Sequence, residues 1–225
     1  NPAPYAAFLR LGSRSVVCAS PEQFLLAHVD GTVSTKPIKG TRPRGSSDAE
    51  DRAIAFDLRA DQKERAENLM IVDLMRNDLG RVCEVGSVDV PKLFEIETYA
   101  TVHQLVSTVV GKLLPEASVF DAVESAFPGG SMTGAPKFRA IEIIGELEAG
   151  PRGVYSGAIG FIASNGAAEL GMTIRTIVFE NGRATIGVGG GITIDSVPEA
   201  ELEETKLKAK ALLHALGAED PWLVT

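Results

Sequence analysis

The stretch that decides the fold runs from residue 24 to residue 45 and reads FLLAHVDGTVSTKPIKGTRPRG. Phe24 to Val29 is mostly apolar, Asp30-Gly31 is a favoured two-residue turn, and Thr32 to Ile38 is rich in β-branched residues. Apolar and β-branched runs on either side of such a turn are typical of a β-hairpin. The sequence therefore predicts a hairpin over residues 24–38, with Lys39 just beyond its end.

Pro37 and Gly40 restrict and bend the backbone on either side of Lys39. The lysine has two interpretations. It belongs either to a solvated basic loop, since lysine is usually exposed, or to a site where it acts as a nucleophile. A nucleophilic lysine must be neutral, so burial or neighbouring cations would have to lower its reference pKa of about 10.4. The cations closest in sequence are Lys36, Arg42 and Arg44.

Composition excludes several classes of protein. The chain has 225 residues, of which 44% are hydrophobic, so it can bury a substantial core. Thirty acidic and 22 basic residues give a net charge of −8, which argues against binding the phosphate backbone of nucleic acid. The sequence has no apolar run of the roughly 20 residues that a membrane span needs. No signal peptide is visible, and Cys18 and Cys83 form no metal or redox motif, so we expect a cytoplasmic protein without membrane or nucleic-acid partners.

Residue periodicity predicts a mixture of strands and helices. Strands are expected over residues 5–11, 14–19, 85–96 and 99–113, and three more follow around the turns Asn165-Gly166 and Asn181-Gly182. Helices are expected over residues 48–59, 62–79, 118–126, 136–148 and 198–216. In the second helix, Leu69, Val72 and Met75 recur at helical spacing and predict a buried stripe. Strands joined mostly by hairpins, with helices between them, indicate an α+β fold with antiparallel sheets.

Two helices each carry a pair of carboxylates three residues apart, which places each pair on one helix face. Glu64 and Glu67 form the first pair, Glu201 and Glu204 form the second, and Lys208 lies one turn beyond Glu204. The simpler interpretation is two solvated acidic faces with an ordinary pairing of Glu204 and Lys208. If the helices meet, the four carboxylates would make an oxygen-rich site suited to Mg²⁺.

Two glycine-rich segments carry no nucleotide-binding motif. Phe127–Lys137 ends in Ala-Pro-Lys rather than the Gly-Lys-Ser/Thr of a phosphate loop, and Gly187–Ile192 lacks the third glycine of a dinucleotide fingerprint. Both segments could be plain turns. Bare backbone N–H groups and a helix N-terminus nonetheless suit a carboxylate ligand.

The segment Pro37–Gly45 closely resembles the corresponding loop of aminodeoxychorismate synthase component I, within the chorismate-binding enzymes. The sister family, anthranilate synthase component I, usually carries alanine where this chain has Lys39. The resemblance runs nearly from end to end. The other matching motifs are Asn1–Tyr5, Ser20–Glu22, Glu67–Leu74, Arg76–Arg81, His103–Ser107, Phe127–Lys137, Gly189–Ile192 and Glu201–Lys206.

This resemblance implies two large antiparallel sheets packed as a sandwich with helices outside. Residues 1–225 would be the C-terminal part of the chorismate-binding catalytic domain, with the first half of the usual subunit absent. The implied reaction is amination of chorismate to 4-amino-4-deoxychorismate. The implied partner is a glutamine amidotransferase, as a subunit or a fused domain, that supplies ammonia.

The resemblance also implies residue roles. Lys39 would attack C2 of chorismate, Glu22 would protonate the departing 4-hydroxyl, and His103 would lie near the ring. Glu67 and Glu204 would bind Mg²⁺ directly, and Glu64 and Glu201 would support it through water. The ion would hold the ring carboxylate of chorismate. The implied substrate contacts are Thr41, Thr133, Tyr155, Arg175, Gly190, Gly191 and Lys208, with Tyr155 and Arg175 at the enolpyruvyl carboxylate.

Three alternatives remain at the level of sequence. Anthranilate synthase component I also aminates chorismate, but at C2, and a lysine bound at C2 argues against it. Isochorismate and salicylate synthases use water instead of ammonia, activated by a lysine in the part that is absent here. The third alternative is a non-catalytic binding or assembly fragment.

Overall fold

A computed structural model describes residues 3–219 and 221–222, so Asn1 and Pro2 of the first matching motif lie outside it. The strands within these residues are β1 (Tyr5–Leu11), β2 (Arg14–Ser20), β3 (Gln23–Ala27), β4 (Thr32–Lys36), β5 (Ile38–Pro43), β6 (Asp89–Thr98), β7 (Val102–Lys112), β8 (Ala158–Ile162), β9 (Ala168–Met172), β10 (Thr176–Glu180) and β11 (Arg183–Ile186). The helices are α1 (Asp48–Ala60), α2 (Gln62–Gly80), α3 (Val119–Ala126), α4 (Gly130–Thr133), α5 (Lys137–Leu147) and α6 (Pro198–Leu216).

The α+β prediction is confirmed, with the two antiparallel sheets that the resemblance implies. Four strands form one sheet in the order β1-β2-β10-β11. Seven strands form the other, in the order β5-β7-β4-β3-β9-β8 with β6 also paired to β7. The predicted helices are all present, and the short helix α4 was not predicted. The strand predicted between the turns Asn165-Gly166 and Asn181-Gly182 is divided into β9 and β10, so four strands are found where three were predicted.

The chain divides into two compact units, each assembled from separate stretches of sequence. Unit 1 lies within residues 1–21, 150–160 and 171–225 and contains the four-stranded sheet and α6. Unit 2 lies within residues 22–149 and 161–170 and contains helices α1 to α5 and most of the seven-stranded sheet.

The predicted hairpin is confirmed as β3 and β4, but its turn differs from the predicted one. The turn spans four residues, His28 to Gly31, and is closed by the Gly31 N–H donating to the His28 carbonyl at 2.9 Å. Asp30 Oδ1 accepts from the Thr32 N–H at 2.8 Å, so the aspartate ties the turn to the returning strand. That side-chain bond favours the longer turn over the predicted two-residue one.

The returning strand is not one continuous strand to Ile38, as predicted, because it is divided at Pro37. β4 and β5 lie on either side of this proline and pair with successive parts of the same strand, β7. The Pro37 carbonyl still accepts from the Ser107 N–H of β7 at 3.2 Å, which keeps the two segments aligned. Lys39 consequently lies inside strand β5 rather than in a loop beyond a hairpin.

Helices α1 and α2 cover one face of the seven-stranded sheet. On α2, Ile71, Val72, Met75 and Leu79 are buried, whereas Leu69 is 42% exposed. The predicted stripe is therefore wrong at Leu69 and correct at Val72 and Met75. The buried face is shifted by one residue because α2 also buries the polar Asn68 against the sheet.

Asp51 of α1 joins the helix to strand β7 through His103. His103 Nε2 lies 2.8 Å from Asp51 Oδ1, and its Nδ1 lies 2.9 Å from the Thr98 hydroxyl. The Arg44 guanidinium, the Gly45 N–H and His103 hold the pKa of Asp51 well below its usual range. An ionised Asp51 can only accept, so Nε2 of His103 carries the proton.

Lys137, the first residue of α5, forms a buried ion pair with α2. Its Nζ donates to Asp78 Oδ2 at 2.6 Å and to the Ala126 carbonyl at 2.9 Å. The exposed fractions of the Lys137 and Asp78 side chains are 10% and 5%. Burial raises the pKa of Asp78, and the ammonium group of Lys137 opposes that rise. The pair holds both ends of the glycine-rich segment 127–137 against α2.

None of the helices within residues 3–219 combines the length and the apolar composition needed to cross a bilayer.

We expect Lys137→Met to destabilise the protein by about 3 kcal/mol or more, because it leaves the buried carboxyl of Asp78 without its cation. Urea-induced unfolding measures the change. Replacing both partners, as Asp78→Leu with Lys137→Met, should recover most of the loss, since an apolar pair removes the unpaired charge.

The matched control for this ion pair is the exposed pair of Asp73 and Arg76 on the same helix, at 2.8 Å. Arg76→Met should change the free energy of unfolding by less than about 1 kcal/mol, as is usual for exposed ion pairs. Equal losses for Lys137→Met and Arg76→Met would contradict the importance of burial.

We expect Asp51→Asn to make stability less dependent on pH in the acid range. The folded pKa of Asp51 lies below its unfolded value of about 3.9, so its contribution is complete above that pH and is lost as the pH falls further. Urea midpoints between pH 7 and pH 2.5 should show wild type and variant converging below about pH 4. The exposed Asp57 of the same helix provides the control variant Asp57→Asn. A difference that is constant at every pH would contradict this account.

Candidate active site

The candidate nucleophile Lys39 lies against the candidate metal ligand Glu67. Its Nζ is 3.8 Å from Glu67 Oε2, and the exposed fractions of the two side chains are 18% and 12%. Lys63 Nζ lies 3.9 Å from the other carboxylate oxygen of Glu67. Glu67 is therefore not on a solvated acidic face, and it is held between two ammonium groups.

Glu64 meets the same strand one helical turn earlier. Arg42 Nη1 lies 3.4 Å from Glu64 Oε1, while its Nη2 lies 3.0 Å from Asp61 Oδ2. Burial raises the pKa of Glu64, against the lowering effect of Arg42. Gly40, between Lys39 and Arg42, has φ of +75°, and a Cβ there would lie 2.8 Å from a Leu58 methyl group and 3.0 Å from the Glu64 carboxyl carbon. Only glycine fits this close approach without strain.

The three cations near Lys39 in sequence are each engaged by acidic side chains. Lys36 pairs with Glu97, Arg42 pairs with Asp61 and Glu64, and Arg44 pairs with Asp51. The nearest charged group to the Lys39 ammonium among these contacts is Glu67. The structure thus places Lys39 beside a carboxylate, where the sequence suggested neighbouring cations.

Three other residues predicted in unit 2 lie in its strands or next to them. Glu22 is buried immediately before β3, and Thr41 is exposed on β5. His103 is 2% exposed and has both ring nitrogens in hydrogen bonds, to Asp51 and Thr98. Its catalytic role and that of Glu22 stay predictions.

Thr133 belongs to α4, which packs on α2. A Cβ on Gly130 would lie 2.7 Å from a Leu74 methyl group, so the short helix sits close against the longer one. The Thr133 hydroxyl lies 3.3 Å from the Gly129 carbonyl and 3.5 Å from the Gly130 carbonyl. The threonine is half-buried within its own turn.

In unit 1 a glycine-rich segment, residues 187–191, runs between Tyr155 and helix α6. A Cβ on Gly187 would overlap the ring of Tyr155, and one on Gly189 would lie 3.2 Å from the tyrosine hydroxyl. A Cβ on Gly190 would lie 3.0 Å from Glu201 Oε2. Glycine is needed here because side chains approach the backbone from both sides.

Helix α6 presents its carboxylates and a lysine to this segment. Lys208 Nζ lies 2.6 Å from Glu204 Oε1 and donates to the Gly189 carbonyl at 3.0 Å. Glu201 is 7% exposed, and its Oε1 accepts from the Ser196 hydroxyl at 2.8 Å. The structure therefore brings together six of the seven residues predicted in this unit, namely Tyr155, Gly190, Gly191, Glu201, Glu204 and Lys208.

Arg175, the seventh, lies between β9 and β10 with a left-handed backbone, φ of +50°. None of the described residues forms an ion pair with its guanidinium, and burial lowers its pKa. A half-buried guanidinium without a counter-ion is suited to bind an anion such as a carboxylate.

The donors present in each unit fit Mg²⁺ in chemistry, since this ion takes one or two carboxylates together with water and substrate. Within residues 3–219 and 221–222, no group of three or more histidine, cysteine, aspartate or glutamate side chains is arranged to hold a metal. The pair Glu64 and Glu67 lies in unit 2, and the pair Glu201 and Glu204 lies in unit 1.

Sequence reasoning gave no role to Asn68, which follows Glu67 on α2 and is fully buried. Its side-chain amide donates to the Pro37 carbonyl at 3.1 Å. The sequence could have pointed to Asn68, because it lies at helical spacing from the apolar residues Val72 and Met75. A buried amide in that position needs specific hydrogen-bond partners.

Comparison with known proteins agrees with the resemblance seen in the sequence. The family model for chorismate binding enzymes matches residues 1–214. Aminodeoxychorismate synthase from Streptomyces pristinaespiralis is 58% identical over 96% of this chain, and anthranilate synthase component 1 from Streptomyces coelicolor is 49% identical over 96%. The crystal structure of anthranilate synthase component I from Streptococcus pneumoniae matches 94% of this chain with a TM-score of 0.85 and 43% identity.

These relatives are much longer than the chain described here. The chain spans 30% of the Streptomyces pristinaespiralis protein, 42% of the Streptomyces coelicolor protein and 46% of the crystallised chain. The match nonetheless covers nearly all of this sequence and both of its units. The chain belongs to the family of chorismate-binding enzymes.

Proposed function

We propose that this chain is the C-terminal part of an enzyme that aminates chorismate to 4-amino-4-deoxychorismate. The ammonia would come from a glutamine amidotransferase, either a separate subunit or a fused domain. The observation that carries the proposal is Lys39, a partly buried lysine on a strand, held 3.8 Å from a carboxylate of the candidate metal site. The higher identity to an aminodeoxychorismate synthase than to an anthranilate synthase supports the same branch.

In the proposed reaction, Lys39 attacks C2 of chorismate while Glu22 gives a proton to the departing 4-hydroxyl. A covalent adduct between Lys39 and the ring results. Ammonia then forms a bond to C4, and the bond from C2 to the lysine breaks as the double bonds return. Dividing one difficult displacement into two steps is the usual gain from covalent catalysis. Lys39 must first leave Glu67 and lose a proton.

Two sets of side chains are the proposed contacts of the carboxylates of the substrate. Arg175 and Tyr155 are the proposed contacts of the enolpyruvyl carboxylate, because a guanidinium binds a carboxylate through two parallel hydrogen bonds. Glu67 and Glu204 would hold Mg²⁺, supported by Glu64 and Glu201 through water. When bound, the ion supplies positive charge for the ring carboxylate.

Anthranilate synthesis is the second candidate, since an anthranilate synthase is 49% identical and another has a closely similar structure. The two reactions differ in the ring carbon that receives nitrogen. A lysine that occupies C2 directs ammonia to C4, so Lys39 favours the first candidate. Identification of the product by mass and NMR separates the two.

A third possibility is that residues 1–225 alone bind substrate without turning it over. This possibility is of a different class, because it makes the chain a binding or assembly fragment. Incubating the isolated chain with chorismate, ammonium and Mg²⁺ tests it directly, and turnover would exclude it.

We expect Lys39→Ala in the full-length protein to slow formation of 4-amino-4-deoxychorismate by at least about a hundredfold, because the covalent route is lost. No mass adduct between chorismate and the peptide carrying residue 39 should form. Any residual product should carry nitrogen at C2, since the variant leaves that carbon open to ammonia.

The control for this variant is Lys63→Ala, which removes the other ammonium group beside Glu67 without removing the nucleophile. It should retain most of the activity and all of the adduct. Wild-type turnover by Lys39→Ala would show the covalent role to be wrong. Residual product aminated only at C4 would show that the lysine does not set the position of amination.

We expect Glu67→Gln and Glu204→Gln each to weaken Mg²⁺ binding by at least about tenfold, since each removes a charged oxygen ligand. Calorimetric titration of the full-length protein with Mg²⁺ and chorismate measures this. The exposed Glu203 points to a different side of α6 from Glu204 and provides the control Glu203→Gln, which should bind Mg²⁺ normally. Unchanged affinity in the first two variants would place the metal elsewhere.

A further inference from the structure

We propose that Asn68 is a positioning residue that, together with Ser107, holds Lys39 beside Glu67 of helix α2. The inference rests on the proposed function for its catalytic consequence, because it concerns the same lysine. It names two residues to which neither the reaction nor the metal site has so far given a role.

The two residues form a closed set of hydrogen bonds inside unit 2. The Ser107 hydroxyl donates to Asn68 Oδ1, and Asn68 Nδ2 donates to the Pro37 carbonyl at 3.1 Å. The Ser107 N–H donates to the same carbonyl at 3.2 Å. The Phe94 N–H completes the set by donating to the Ser107 hydroxyl at 3.0 Å.

Because these residues are buried, water cannot replace any of the hydrogen bonds in this set. Asn68 and Ser107 are both fully buried, so every polar atom they present must find its partner within the protein. Each atom in the set has one, and the direction of each bond follows from its neighbour, because a backbone N–H can only donate and a carbonyl can only accept. Such a network specifies one arrangement of the backbone rather than several.

The carbonyl that the network fixes is two residues before Lys39. On the other side, Gly40 is packed against Leu58 and Glu64, where no side chain would fit. The backbone of Lys39 is therefore held to α2 from both directions. Glu67 and Asn68 follow Glu64 by three and four residues, so one face of α2 makes all these contacts.

The hydrogen bonds of Asn68 and the apolar packing of α2 have different roles. The side-chain amide of Asn68 donates to the Pro37 carbonyl and accepts from Ser107, and buried apolar residues of α2 already pack the helix against the sheet. What the amide adds is the position of the Pro37 carbonyl along the strand. A shift there would move the lysine nitrogen relative to the carbon it attacks, and misplacement by about 1 Å can cost a hundredfold in rate.

The test compares Asn68→Ala and the milder Ser107→Ala in the full-length protein with Asn77→Ala, which alters an exposed asparagine of the same helix. Turnover with chorismate, ammonium and Mg²⁺ gives kcat and KM. A second readout does not depend on catalysis: brief acetylation by acetic anhydride at one pH, followed by peptide mass analysis of Lys39 against the exposed Lys92. Thermal unfolding shows whether each variant is folded.

We expect Asn68→Ala to lower kcat by about ten- to a hundredfold, with KM for chorismate changed by less than about threefold, since substrate contacts remain. Lys39 should be acetylated at least about threefold faster relative to Lys92, because the strand can now open locally. Ser107→Ala should fall between this variant and wild type, and Asn77→Ala should match wild type in both readouts.

Unchanged kcat and unchanged acetylation of Lys39 in folded Asn68→Ala or Ser107→Ala would overturn the proposal. So would a loss of kcat accompanied by normal acetylation, since the amide would then act on something other than Lys39. If Asn68→Ala does not fold, Ser107→Ala decides alone. If Lys39→Ala proves fully active, the nucleophilic role fails, whereas the acetylation result still shows whether Asn68 positions the lysine.

Discussion

The contact between helix α2 and the segment from Pro37 to Arg42 is the interaction on which the rest of unit 2 depends. Asn68, Glu67 and Glu64 face this segment in turn, meeting the Pro37 carbonyl, the Lys39 ammonium and the Arg42 guanidinium. From Glu64 to Asn68 on the helix, the partner on the strand moves back from Arg42 to Pro37. The helix thereby fixes both the backbone of β5 and the charges of its side chains in one set of contacts.

Local signals predicted most of the elements, because capping and turn residues act over a few positions. Ser47 and Ser118 cap α1 and α3 by accepting backbone N–H groups, and Gly217 ends α6 in a left-handed conformation. The division of the strand at Pro37 could not be predicted in this way. It depends on β7, a strand more than sixty residues further along the chain, offering partners to both β4 and β5.

In the candidate site too, the sequence predicted the local interactions but not those between residues far apart in the chain. Spacing alone predicted that Glu64 and Glu67 share a face, and that Glu204 and Lys208 pair, and both are found. Spacing could not predict that Arg42 would bind Glu64, or that a buried amide beside Glu67 would reach the Pro37 carbonyl. These contacts join residues at least 22 positions apart, so only the folded arrangement brings them together.

The two carboxylate pairs look alike in sequence but differ in their surroundings. Glu67 has a side chain that is 12% exposed and lies between Lys39 and Lys63, whereas Glu204 is 46% exposed and is paired with Lys208. Both candidate ligands are therefore neutralised by ammonium groups of the protein itself. A divalent cation bound at Glu67 would compete with the ammonium group of Lys39 for Oε2. Such a cation would weaken the hold of Glu67 on Lys39, so metal binding and release of the lysine would be coupled through one carboxylate.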